Sequence, residues 1–330
     1  PPWKQADPDL YVHIVERRDG GVVIRGAKTH ITGVLNSHEI LVMPTLGLPP
    51  EGADYAVTCA VPVDAPGVTL VFGRQTNDER KEEEGGIDCG TPFGVVGGEC
   101  TILFEDVFVP GERVFMAGEG EFAGALVERF SSWHRANYGG CKAGNADVLL
   151  GATALLAEIH GTIANSTVKD KLTEMIHLME TNFAGAVGSS ALATRLPSGN
   201  WLVDPLLANA VKQNVTRFVY QVARIAHDIG GGILSTLPAD ADFKNKEIGG
   251  LLEKYFAGKD GFSTTDKRKL CRYIEGMTSV ATLVEALHGA GSPQAQRIVM
   301  LRQGNVPGKM RMARKVLGLA EPKAPERSKK

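Results

Sequence analysis

The chain has 330 residues, with 36 Lys and Arg against 38 Asp and Glu and a formal net charge of −2. Hydrophobic residues make up 43% of it, enough to bury a sizeable core and too many for a disordered chain. The charge balance gives no electrostatic basis for a nucleic acid or an acidic membrane as partner. The longest apolar stretch, Val148 to Ala157, is about half of the ~20 residues a membrane span needs. Five scattered cysteines (Cys59, Cys89, Cys100, Cys141 and Cys271) do not read as a secreted disulfide framework, and no signal-peptide pattern opens the chain, so a cytoplasmic location is expected. The chain opens Pro1-Pro2-Trp3 rather than on Met, which points to sequence removed upstream.

In chain order, the first third reads as β-structure. Leu10–Val15 and Val22–Gly26 flank Asp19-Gly20-Gly21, a hairpin signal because Asp and Gly tolerate positive φ. Further strands are expected at Glu39–Met43, Tyr55–Val63, Val68–Phe72 and Cys100–Val109, a spacing that suits a small barrel or sandwich. Asp78 to Glu84 (DERKEEE) is a charge run that reads as a solvated loop or exposed helical turn. After about Gly118 the period becomes helical. Helices are expected at Glu121–Arg135, Gly144–His160, Val168–Ala193, Leu206–Ile229, Thr265–Leu287 and Gln294–Gln303, with Leu172, Met175, Ile176, Met179 and Phe183 marking one apolar face. The expected organisation is α+β: a β-domain over residues 1–118, a helical bundle over 119–318 and a polar tail over 319–330.

Three clusters could carry chemistry. In Trp133-His-Arg-Ala-Asn-Tyr-Gly-Gly-Cys-Lys142, the side chains of His134, Tyr138 and Cys141 fall on one helix face. Imidazole and thiolate are both metal ligands, but two ligands do not complete a four-ligand site, so spacing alone does not decide for metal. In Glu285-Ala-Leu-His-Gly289-Ala290-Gly291-Ser292-Pro293, a Gly-rich turn runs into an N-cap and a Pro at the first helical position. That is either an anion site or a plain capped turn. Lys28-Thr-His30-Ile-Thr32 ends a strand with groups able to bond the heteroatom edge of a flavin. Glu99 opens an apolar strand, where it is either a buried acid or a rim residue. No G-x-G-x-x-G, P-loop, G-x-S-x-G, H-E-x-x-H or CxxC pattern occurs.

Seven segments carry a resemblance: DPDLYVHIVERRDGGVVIRGAKTHITG, NSHE, FVPGERVF, VERFSSWHRANYGGCK, LLANAVKQNVTRF, DIGGG and EALHGAGSPQAQR. Together they closely resemble the middle and C-terminal domains of the 4-hydroxybutyryl-CoA dehydratase (vinylacetyl-CoA Δ-isomerase) family. The chain is more distantly similar to reduced-flavin 4-hydroxyphenylacetate 3-monooxygenases and acyl-CoA dehydrogenases, which lack the His-plus-Cys arrangement of HRANYGGCK. The resemblance implies an acyl-CoA-dehydrogenase-like fold, FAD, and a [4Fe–4S] cluster held by three Cys and one His. His134 and Cys141 match two of those ligands. Tyr138, Lys142, Glu99, Glu285 and Thr32 match polar groups lining the active site, with His134 also implied as the base that takes the β-proton. For the flavin, His30, Thr32, Gly289, Ala290, Gly291 and Ser292 are the expected contacts, with Arg217 and Gly231 as further candidates. An acyl-CoA substrate and a homotetramer are also implied.

The sequence departs from that family at one point. The family's two remaining cluster cysteines form a C-x-x-x-C pair in an N-terminal helical domain, and no such pair stands in this sequence. The expectation is therefore a truncated chain, half of a split protein completed by a partner chain, or a relative that has lost the cluster. A clusterless reduced-flavin monooxygenase and a non-catalytic subunit are the two alternative readings.

Overall fold

The computed structural model describes residues 1–73, 86–89, 99–259 and 261–320. The charge run at 78–84 and the tail beyond 320 lie outside the described residues. Gly20, at φ 83°, turns the chain in the left-handed region where a Cβ would be costly. Around it β1 (His13–Arg18) pairs antiparallel with β2 (Gly21–Thr32). β2 then pairs with β6 (Glu99–Pro110), and β6 with β5 (Val68–Phe72), giving a sheet in the order β1-β2-β6-β5. A second sheet joins β3 (Glu39–Val42), β4 (Val57–Pro62) and β7 (Val114–Ala117). The four strands expected after the hairpin stand within two residues of their predicted ends, except that Tyr55 closes a 3-10 helix, Pro50–Tyr55; β7 was not foreseen.

Along β6 alternate side chains face inward, at Cys100, Ile102 and Phe104 and, after a register shift at Asp106 (φ 53°), at Val107 and Val109. Ile24, Ile102, Phe104, Val107 and Val109 from one sheet and Val42, Val57, Cys59 and Val61 from the other form one apolar cluster. The result is a small sandwich.

The helical part begins with α1 (Gly120–Ile159), a single helix of 40 residues where two had been expected. Glycine inside a helix costs about 1 kcal/mol, yet Gly139 does not interrupt it, because packing needs it small. A Cβ there would lie 2.2 Å from Ala186 Cβ and 3.0 Å from Val211 Cγ1. The contacted residues belong to α2 (Ser166–Ala191) and α3 (Pro205–Gly230), so the glycine lets three helices meet. α3 starts on Asp204, whose carboxylate accepts from Leu207 N at 2.7 Å, with Pro205 at the first helical position. A two-stranded ribbon, β8 (Thr194–Arg195) with β9 (Trp201–Leu202), joins α2 to α3.

Three short helices, α4 (Ile233–Thr236), α5 (Asp240–Phe243) and α6 (Gly249–Tyr255), lead to α7 (Thr264–Met277) and α8 (Val280–His288). The single helix expected over Thr265–Leu287 is thus two. Thr278 leaves helical geometry and donates its hydroxyl to Ile274 O at 2.6 Å. Ser279 then caps a new helix by accepting from Thr282 N at 3.4 Å. The restart sets the direction in which α8 carries Glu285. α9 (Pro293–Gln303) and α10 (Val306–Leu317) complete the described chain.

The short 3-10 helix Ile87–Cys89 is tied to the bundle by Asp88, which accepts from Arg272 Nε at 3.1 Å and from Asp240 N at 2.8 Å. Among the described residues, no helix is long and apolar enough to cross a membrane.

Candidate functional site

The mid-section of α1 faces the C-terminal end of α8. Positions 134, 138, 141 and 142 fall on neighbouring turns of one helical side, and α3 supports them from beneath. Glu285 on α8 accepts from Tyr138 Oη at 3.0 Å and, through its other oxygen, from Lys142 Nζ at 2.5 Å. The Lys142–Glu285 pair is largely withdrawn from solvent, with side chains 13% and 23% exposed. Both carboxylate oxygens are therefore engaged, which fixes its plane. The Tyr138 ring lies 5.5 Å from that of His134, and His134 lies 5.6 Å from Phe130.

Gly289 closes the arrangement. A Cβ there would lie 1.9 Å from Tyr138 Oη and 3.0 Å from Glu285 Oε1, so only glycine leaves room for the Tyr138–Glu285 bond. Its own N–H donates to Glu285 O at 2.7 Å, so this amide of the Gly-rich turn is already engaged. The next residue, Ala290, takes φ 58°, an uncommon region for a residue with a Cβ. Its carbonyl accepts from Arg135 Nε at 3.0 Å. Arg135 also donates to Asn209 Oδ1 at 2.7 Å, and Gln296 Nε2 donates to Gly291 O at 3.1 Å.

Burial sets the electrostatics. It pushes the His134 imidazole below its usual range, the nearby Glu285 charge opposing it only partly, so the ring is neutral near pH 7 and has a lone pair to offer. Burial, reinforced by Glu285, pushes the Tyr138 phenol up, keeping it a hydrogen-bond donor. The Cys141 thiol is also pushed up, mainly by burial. Lys212 is fully buried, and desolvation brings its ammonium down to about 8.

The sequence-predicted residues fall in two places. His134, Tyr138, Lys142 and Glu285 converge, with Cys141 one turn beyond Tyr138 on the exposed side of α1 and Gly289–Ser292 at the adjoining corner. The β-borne group stands on the β2–β6 ladder, where Thr32 is paired with Glu99 and their side chains approach at 3.4 Å. His30 on the same strand is exposed with φ 61°. Arg217 is exposed on α3, and Gly231, at φ 73°, caps the end of α3. Arg135, Asn209, Lys212 and Gln296 were not singled out from sequence. The available signal was a charged or amide side chain at a position the 3.6 period assigns to the core.

Among the described residues, no group of three or more His, Cys, Asp or Glu side chains could hold a metal ion. His134 and Cys141 are a soft-and-borderline donor pair about 10 Å apart along α1 at 1.5 Å rise per residue. Beside them Gly140 and Gly144 are exposed, and a Cβ at either would meet nothing within 4 Å. The donor set thus suits half of a four-ligand site on an open helix face.

A family profile described as 4-hydroxyphenylacetate 3-hydroxylase C terminal matches residues 123–318, and the profile for the N terminal of the same family matches residues 1–116. The chain is 45% identical over 332 residues to the 4-hydroxybutyryl-CoA dehydratase/vinylacetyl-CoA-Delta-isomerase of Clostridium aminobutyricum, covering 96% of this chain and 67% of that protein. An oxygen-tolerant archaeal 4-hydroxybutyryl-CoA dehydratase from N. maritimus superposes with TM-score 0.95 at 45% identity, covering 100% of this chain and 66% of that one. The oxygenase component of 4-hydroxyphenylacetate 3-monooxygenase, solved with FAD and 4-hydroxyphenylacetate, superposes with TM-score 0.85 at 25% identity over 96% of this chain and 67% of that one. An acyl-CoA dehydrogenase from Geobacillus kaustophilus, at 14% identity and TM-score 0.57 over 92% of this chain and 67% of that one, shares the fold alone. The chain thus spans about two thirds of the length of the dehydratases it matches.

Proposed function

Since this chain belongs to the 4-hydroxyphenylacetate 3-hydroxylase family and has an acyl-CoA-dehydrogenase-like fold, we propose that it forms the larger part of a dehydratase/isomerase acting on a 4-hydroxyacyl-CoA thioester. The observation that carries the reading is the convergence of Tyr138 and Lys142 of one helix on Glu285 of another, with the His134 ring against Tyr138 and an exposed Cys141 beside them. A reduced-flavin hydroxylase has no use for an imidazole and a thiol seven residues apart on one side of a helix. The 45% identity to a dehydratase supports the same choice.

In this reading residues 1–118 form the flavin and substrate side and residues 119–318 the bundle side, assembled as a homotetramer. His134 and Cys141 supply two of the four ligands of a [4Fe–4S] cluster, the other two coming from outside this chain's described residues. The flavin is held by His30, Thr32 and the Gly289–Ser292 corner. When bound, these groups supply one-electron redox chemistry and a Lewis acid for the substrate hydroxyl.

This chain's own residues then do three things. His134, kept neutral by burial, has one basic nitrogen, which could hold the cluster or, when not so bound, take the substrate proton. Tyr138 Oη and Lys142 Nζ hold Glu285 with one oxygen each, so that the carboxylate orients polar atoms of the substrate rather than moving freely. Thr32 and Glu99 offer a hydroxyl and a carboxylate at the end of β2.

The test is anaerobic preparation of the completed protein, followed by iron, acid-labile sulfide, FAD and turnover of a 4-hydroxyacyl-CoA. About four irons per cluster site are expected, with His134→Ala and Cys141→Ala each losing iron and dehydration together. Near-normal turnover and iron in either variant would overturn the assignment. Flavin with no iron in the wild type would favour the hydroxylase reading instead.

A further inference from the structure

The last carbonyls of a helix lack intrahelical donors and are usually met by water or by a left-handed cap residue. α8 uses neither. Its cap residue, Gly289, sits at φ −53°, ψ 143°, outside the left-handed region. Ala286, two residues before the last residue of the helix, is 2% exposed. The donor is instead a side chain from another helix. Lys212 Nζ on α3 donates to Ala286 O at 2.6 Å and to Leu287 O at 3.2 Å. The same nitrogen stands 4.6 Å from the centroid of the Tyr138 ring, within cation–π range. One ammonium thus touches both sides of the Tyr138–Glu285 bond: the ring on α1 and the backbone immediately after Glu285 on α8.

Burying an ammonium is costly unless it is paired, yet among the described residues Lys212 forms no ion pair. A neutral amide could have supplied hydrogen-bond donors at lower cost. What the lysine adds is charge at a helix C-terminus, where the backbone dipole favours a cation, and a third direction of contact on the aromatic face. Arg135 repeats the device one turn further on, where it holds the Ala290 carbonyl.

We propose that Lys212 is a positioning residue for this site: its buried ammonium caps the end of α8 and underlies Tyr138, fixing the geometry in which Glu285 meets Tyr138 and Lys142. The link to catalysis rests on the function proposed above, whereas the clamp itself does not.

Two measurements test it on the full, completed protein. In Lys212→Met, amide exchange over residues 285–292 should quicken about ten-fold or more while α2 and the β-sandwich stay protected. Turnover should fall about 10–100-fold in kcat with KM little changed and cofactor content intact, and Lys212→Arg should restore part of it. Unchanged local exchange, or faster exchange with unchanged kcat, overturns the proposal. If Lys212→Met does not fold, lysine acylation of the native wild type decides. Lys212 should label far more slowly than the exposed Lys169, and equal labelling overturns the clamp. Absence of wild-type turnover would sink the dehydratase reading, leaving exchange and acylation to decide the clamp.

Discussion

Among the described residues between Val12 and Val109 the buried side chains are almost all apolar, with Thr58 and Asp88 as the polar exceptions. Between Ser131 and Gln296 the same degree of burial takes in Arg135, Asn182, Asn209, Lys212, Gln213, Asp240, Arg268 and Gln296. The sandwich is held by removal of apolar area from water, a force without direction. The bundle core adds groups that need a partner at a particular distance and angle. In the function proposed above, chemistry that depends on orientation therefore falls to the bundle, while the sandwich offers its rim: His30 and Thr32 at an exposed strand end, and Glu99 half-buried opposite Thr32.

The comparison breaks most readily at its apolar end. Phe104 is 1% exposed within the sandwich cluster, and Phe104→Ala should cost about 3–5 kcal/mol of stability, read by denaturant unfolding. The Tyr138–Glu285 geometry, carried by the other half, should be little altered in the surviving folded fraction. A cost below about 1 kcal/mol would mean the sandwich relaxes as loosely as a surface, and the contrast fails.

A smaller effect on stability but a sharper one on the site is expected at Gly289. The added methyl of Gly289→Ala must displace Tyr138 Oη or Glu285. Overpacking of this kind costs about 1–3 kcal/mol. The site should lose the Tyr138–Glu285 bond, visible as a shift in the ultraviolet absorbance of Tyr138 by difference spectroscopy against Tyr138→Phe. Retention of the wild-type signature would show that the corner adapts, contrary to a core in which direction matters.

How much of this was legible in the sequence follows the same division. The four strands after the hairpin were placed within two residues, whereas the hairpin strands, expected at Leu10–Val15 and Val22–Gly26, stand at His13–Arg18 and Gly21–Thr32, because the Asp-Gly signal marks the turn and not the strand ends. The helix-borne segments HRANYGGCK and EALHGAGS stood out by unusual residue types over short stretches, but only the family resemblance, and not any local pattern, joined Tyr138 and Lys142 with Glu285. Two things were hidden. Gly139-Gly140 reads as a break unless one knows that Ala186 and Val211 press against position 139. Thr278-Ser279 reads as ordinary helix, although it ends one helix and caps the next. Lys212 was hidden differently: its position on the buried face of α3 follows from Ala208, Val215 and Phe218, but its donors find their acceptors 74 and 75 residues away. No local pattern encodes a partner at that separation.

The smallest expected effect concerns acid. Asp240 is buried, which alone would raise its carboxyl, but hydrogen bonds from Lys244 and Arg268 outweigh burial and hold it below the ordinary value. Arg268 Nη1 lies 2.6 Å from it, with side chains 6% and 8% exposed. A carboxyl lowered on folding stabilises the native state above its unfolded value, about 3.9, and that contribution is lost as pH falls through the lower, folded value. The bundle segment from α5 to α7 should therefore loosen below about pH 4, ahead of the sandwich, whose ion pairs, such as Arg25–Asp106 and Arg113–Glu39, are exposed and screened. The slope attributable to Asp240 is at most about 1.4 kcal/mol per pH unit, the limit for one proton. Asp240→Asn, followed by amide exchange between pH 5 and pH 2, should remove that part of the acid sensitivity of α5–α7 while leaving the sandwich unchanged. If the wild-type sandwich opens first, its stability also depends on directed charge, and the contrast between the two cores is wrong.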